Sequence, residues 1–102
     1  MSEEAEFRRQ MEALEADARL GVELETFRRS PAYRYLMAKA EIEALKAAED
    51  LVDCSAHDQG EIRRLQNEVK RLRDIRVWVD EAIAKGMAAL DQLEERERLS
   101  DD

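Results

Sequence analysis

Ile62, Leu65, Val69, Leu72, Val79, Ile83, Leu90 and Leu93 fall in one heptad register, with Arg76 and Gly86 at the two intervening seam positions. A 3-4 repeat held this long is the mark of one continuous helix with a single apolar seam, because residues three and four apart share a helix face. At about 1.5 Å per residue the arm from about residue 59 to Arg96 is roughly 55 Å long. A helix of that length has to lay its seam on another helix.

The partner inside the chain lies just upstream. Ser30-Pro31 is a strong start signal, since Ser offers a side-chain oxygen to orphan amides and Pro at the first helical position loses no hydrogen bond. From there Tyr33, Met37, Ala40, Ala44, Ala47 and Leu51 repeat at 4, 3, 4, 3, 4, an alanine-rich seam that allows close backbone approach. Leu36, Leu45, Ala48 and Val52 widen the apolar face enough to meet two other helices. The stretch Asp53 to Gly60 has turn-forming composition, and Asp58 with Glu61 makes a capping-box variant ahead of Ile62. The second helix is thus expected over 31–52 and the third over 59–96, followed by a frayed acidic tail, 97–102.

A first helix, about 3–27, is capped by Ser2 and carries Phe7, Met11, Leu14 and Ala18 at 4, 3, 4 spacing. Gly21 interrupts this stripe and Leu20, Leu24 and Phe27 lie on a shifted face, so a bend or an end is expected at Gly21. The second helix, at about 33 Å, is shorter than the third. Either the first helix folds back over the remainder, or the overhang from Met87 to Leu93 is an interface for another molecule. The fold class is all-α: one domain over 1–102, a long antiparallel helical hairpin with an additional N-terminal helix, as a three-helix bundle or an oligomeric helical assembly.

Composition narrows function by exclusion. The net charge of -8 repels nucleic acid and anionic membranes from the chain as a whole. No apolar run approaches the roughly 20 residues that span a bilayer, and Met1-Ser2-Glu3-Glu4 is acidic where a signal peptide is basic. A cytoplasmic protein at synthesis is expected, without membrane association. Cys54 is the only cysteine and His57 the only histidine, so the hinge lacks the further ligands of a metal site and the positioned third group of a nucleophilic triad. The carboxylates alternate with basic residues, as on solvated helix faces, and one His cannot furnish a di-iron site. No enzyme activity, metal or cofactor is expected.

Arg63, Arg64, Lys70, Arg71, Arg73 and Arg76 form a locally basic band opposed only by Glu68 and Asp74. It suits phosphates or the carboxylates of a neighbouring chain, but no aromatic residues interleave it, so nucleic-acid binding is possible without being favoured. Among the aromatics, Tyr33 and Trp78 are expected to pack in the core, while Tyr35, off the seam, suits an exposed contact.

The string Phe27-Arg28-Arg29-Ser30-Pro31-Ala32-Tyr33-Arg34-Tyr35-Leu36, then Ala38-Lys39-Ala40-Glu41, Leu65-Gln66-Asn67-Glu68-Val69, Val77-Trp78-Val79 and Ala84-Lys85-Gly86-Met87-Ala88-Ala89-Leu90, resembles small helical proteins of tailed bacteriophages or prophages. The resemblance covers about two thirds of the chain, implies a part in virion assembly and transfers no site residues. The expectation overall is a non-enzymatic interaction or assembly protein, in a homo-oligomer or larger structure, with Tyr35, Arg71, Arg73, Trp78, Met87 and Leu90 as partner contacts. Two other readings remain open: a nucleic-acid-associated factor using the band from Arg63 to Arg76, and a small acidic inhibitor of a host protein.

Overall fold

Local start and stop signals set the helix limits. The structure, a computed structural model, describes residues 2–101, in which α1 is Glu3–Arg28, α2 is Pro31–Asp53 and α3 is Gln59–Asp101. Ser2 Oγ accepts the Ala5 amide at 3.2 Å, and Ser30, in extended conformation, accepts the Tyr33 amide at 3.1 Å with Pro31 behind it. At α3, the Asp58 carboxylate accepts the Glu61 amide at 3.1 Å. The α2 end is closed by the Cys54 amide, which donates to the Asp50 carbonyl at 2.9 Å. The molecule is all-α, a helical hairpin of α2 and α3 with an additional N-terminal helix.

The chain divides into two compact units that share α3. One holds Arg29–Trp78, in which α2 packs on the first part of α3 through the alanine seam expected from sequence. Ala47 and Leu65, 2% and 1% exposed, are its most buried side chains, and Met37, Ala44, Val69 and Leu72 are half-buried beside them. Small residues on α2 bring the backbones close, so the larger ones on α3 fill the space between. Arg76 occupies a seam position yet turns to solvent and pairs with Glu41, while Ile75 next to it is half-buried. Trp78 departs from expectation: it is 60% exposed rather than packed in the core. Tyr33 is half-buried, as a seam residue should be.

The other unit pairs α1 with α3 from Val79 onward. As α1 advances through Met11, Gly21 and Arg28, its contacts on α3 recede through Arg96, Gly86 and Asp80, so the pair is antiparallel. Three expectations are corrected here. Gly21 neither bends nor ends α1; it is buried, and the 4-3 count of Phe7, Met11, Leu14 and Ala18 places it at the next seam position. Leu90 is not on the buried face: Ala89 is 2% exposed and Leu90 41%. Ile83, Gly86 and Ala89 are buried at a spacing of three, which keeps Ala89 rather than Leu90 on the face that α1 covers. Finally, α3 continues to Asp101 instead of fraying after Arg96, because Glu and Arg are good helix formers and Arg98 pairs with Glu95 one turn back at 2.7 Å. Asp102, the last residue of the expected tail, lies outside the described residues.

Candidate interaction surfaces

The hinge holds little reactive geometry. The Cys54 thiol donates to the Leu51 carbonyl at 3.4 Å, and the His57 amide, not its ring, is engaged, donating to Ser55 Oγ at 3.2 Å. Among the described residues, no three His, Cys, Asp or Glu side chains gather as a metal site requires. No helix among them is long and apolar enough to cross a membrane.

In the unit of α1 and α3, backbone meets backbone. A Cβ on Gly86 would stand 2.7 Å from the Asp17 carbonyl oxygen and 2.7 Å from Gly21 Cα, and one on Gly21 would stand 2.8 Å from Gly86 Cα. Two glycines in helix interiors cost about 1 kcal/mol each relative to alanine, and here they allow a crossing no side chain would permit. Towards the end of the pair, the Arg96 guanidinium lies 5.4 Å from the centre of the Phe7 ring, within cation–π range, and borders an open groove of about 740 Å³ with Met11, Leu93 and Leu99. Lys85 with Asp17, at 3.7 Å, and Arg28 with Asp80, at 3.2 Å, are exposed pairs that add register more than stability. α1 therefore covers the Ala89 side of the stretch from Met87 to Leu93, while Met87 and Leu90 stay open to solvent.

In the unit of α2 and α3 the basic band is partly neutralised. Arg64 bridges Glu61 at 2.6 Å and Glu68 at 3.1 Å. The hydrogen bond from Arg64, reinforced by its charge and opposed by slight desolvation, holds the Glu61 carboxyl below its ordinary value, and the same pair raises the Arg64 guanidinium. Arg63 and Lys70 lie on the solvent side of α3. Arg73 borders a groove of about 260 Å³ with Met37, Ala40 and Ala44. Arg71 stands beside Glu43 and Glu68. Seven residues apart, Arg71 and Trp78 share a face of α3, whereas Tyr35, 66% exposed, stands on the outer side of α2.

That outer side carries a pattern of its own, which hydrophobicity alone merges with the inner face. Pro31, Tyr35, Ala38, Ile42, Leu45, Glu49 and Val52 repeat at 4, 3, 4, 3, 4, 3, a second heptad seam about half a turn round from the first. Tyr35, Ile42, Leu45 and Val52 are all exposed, Val52 at 83%. By hydrophobicity alone Leu45 and Val52 widen the inner face; the 4-3 count starting from Pro31 separates them from it. α2 is thus apolar on two opposite sides, and only one of them is covered.

Compared with known proteins, the chain matches no family model, no curated protein and no solved structure.

Proposed function

We propose that this chain is a non-enzymatic interaction protein whose role is to assemble with other protein chains. The observation that carries the reading is the imbalance between covered and uncovered apolar surface. Among the described residues the buried hydrophobic ones are Ala18, Ala47, Leu65, Ile83 and Ala89, three of them alanines. Against these, Tyr35, Ile42, Leu45, Val52, Trp78 and Met87 are each more than half exposed. Pairs of helices with so few large buried side chains gain little stability alone, and contiguous exposed apolar residues on helix faces mark association surfaces.

Tyr35, Trp78, Met87 and Leu90 supply the apolar contacts, with Arg71 and Arg73 as charged complements at their margins. The resemblance of residues 27–93 to helical proteins of tailed bacteriophages supports virion assembly as the setting. The test is the solution mass by light scattering across a wide concentration range, with capture of partners from a producing cell in parallel. Stable self-association or a stoichiometric protein complex supports the reading; a chain that stays at 11.8 kDa and forms no complex overturns it.

A further inference from the structure

We infer that a second copy of this chain covers the outer seam of α2, antiparallel to the first, so that two α2 helices meet across a two-fold axis. The inference deepens the assembly reading and rests on it. Three observations carry it: the extent of the seam, the fit of its layers and the placement of its charges.

The seam runs the full length of α2, so a partner helix of equal length covers it from end to end. The exposed fractions of Tyr35, Ile42, Leu45 and Val52 leave roughly 450 Å² of apolar side chain per copy. Two copies, with the aliphatic stems of Lys39 and Lys46 and the flanking Arg34 and Glu41, come to roughly 1,200–1,600 Å² in all, the size of a stable interface. Each copy contributes half of that area, so the two-fold pair needs no surface beyond this seam.

The layers decide the direction. With the axis between Glu43 and Ala44, an antiparallel pair sets Tyr35 on the partner's Val52 and Ile42 on the partner's Leu45. Each large side chain then meets another apolar one, as in a knobs-into-holes seam. Ala38 falls opposite the partner's Glu49, where its small side chain leaves room for the longer one. Lys39 lies beside that same carboxylate and can receive it. The flanking Lys39 and the partner's Lys46 are like charges at the solvent-exposed margin of the seam, where water screens them and Glu43 stands 3.5 Å from Lys46 on its own helix. A parallel pair instead stacks Glu49 on Glu49 inside the seam and sets Arg34 against Lys39, and its one favourable pair, Glu41 with Lys46, does not offset a doubled carboxylate in an apolar layer.

The test uses the whole chain. Ile42→Asp combined with Leu45→Asp changes only exposed positions, so helicity by circular dichroism is expected to persist while the mass falls to 11.8 kDa. Association that persists unchanged in this variant overturns the inference and leaves the assembly reading standing. A wild-type monomer that captures a different protein through the same seam also overturns it. Direction is read by disulfide trapping in a Cys54→Ser background. Chains carrying Tyr35→Cys are expected to cross-link with chains carrying Val52→Cys and not with one another. Efficient Tyr35→Cys self-linkage in chains that keep the parent's helicity shows a parallel pair and overturns the arrangement.

Discussion

Replacing Gly86 with alanine separates two opposing effects of known sign. On intrinsic propensity alone, alanine in a helix interior is better than glycine by about 1 kcal/mol, so Gly86→Ala ought to stabilise α3. The crossing predicts the reverse. The new methyl would lie 2.7 Å from the Asp17 carbonyl oxygen and from Gly21 Cα, whereas ordinary contact begins at 3.4 Å, so the helices must part by roughly 0.7–1 Å. Both obstacles are backbone, with no flexible side chain to give way. A gap of that size forfeits about a quarter to a half of the dispersion between facing atoms, and it opens along Ala18, Ile83 and Ala89, the buried residues of the same unit.

Overpacking of this kind costs about 1–3 kcal/mol, and a backbone obstacle belongs in the upper part of that range. Subtracting the propensity gain leaves a net destabilisation of about 1–2 kcal/mol, or a fall in Tm of roughly 5–12 °C for a chain of this length. The assay is thermal and urea unfolding followed by circular dichroism at fixed protein concentration, since association adds to apparent stability. Gly60→Ala is the control, because its Cβ would meet only the Asp58 carboxylate at 3.8 Å; it should be neutral or stabilising by up to about 1 kcal/mol. A Gly86→Ala chain that melts at or above the parent temperature refutes the close crossing.

Three further outcomes follow from the geometry. Leu65→Ala removes the most buried large side chain of the α2 unit and should cost about 2–5 kcal/mol, measured by urea unfolding; a cost below 1 kcal/mol would mean the α2–α3 seam is not a core. Ser30→Ala leaves the Tyr33 amide without its acceptor and should cost about 1 kcal/mol, while Ser30→Asp should restore most of it; equal stability of all three would place no weight on that cap. The Glu61 carboxyl titrates below its ordinary value in the fold, so its contribution is present above the unfolded-state value and is lost as pH falls through the folded one. Glu61→Gln should therefore remove part of the acid-side loss of stability, and identical acid limbs for the two proteins would show that the Arg64 bridge is idle in solution.

What the sequence made legible were features carried by single residues or by an unbroken count. Ser2, Ser30-Pro31 and Asp58 each fixed a helix start through one side-chain oxygen or one missing amide, and all three lie where their chemistry requires. The alanine seam of α2 and its opposite number on α3 were readable because apolar residues repeat without a gap from Tyr33 to Leu51 and from Ile62 to Leu72. Glycine defeated the same count. It contributes nothing to hydrophobic periodicity, so Gly21 read as an interruption, although its position extends the seam of α1 and Gly86 occupies the matching kind of position on α3. Two seam glycines in facing helices are a signal of backbone contact, not of weakness.

A different limit applies to α2. Hydrophobic periodicity finds a face by contrast with a polar remainder, and α2 has apolar residues on two opposite sides, so the contrast is low and the two seams merge into one wide face. Only the covered fraction of each residue separates them: Ala47 is 2% exposed, while Ile42, five residues earlier, is open. A helix that is apolar on both sides is unfavourable in a lone two-helix pair, because one side must face water whichever way it turns. It is favourable at the centre of an assembly, where each side has its own helix to meet. The same reasoning accounts for alanine on the inner seam and larger residues on the outer. The inner seam faces Val69 and Leu72, bulky enough to fill the gap themselves, whereas an outer seam that meets its own copy has to bring its bulk from both sides.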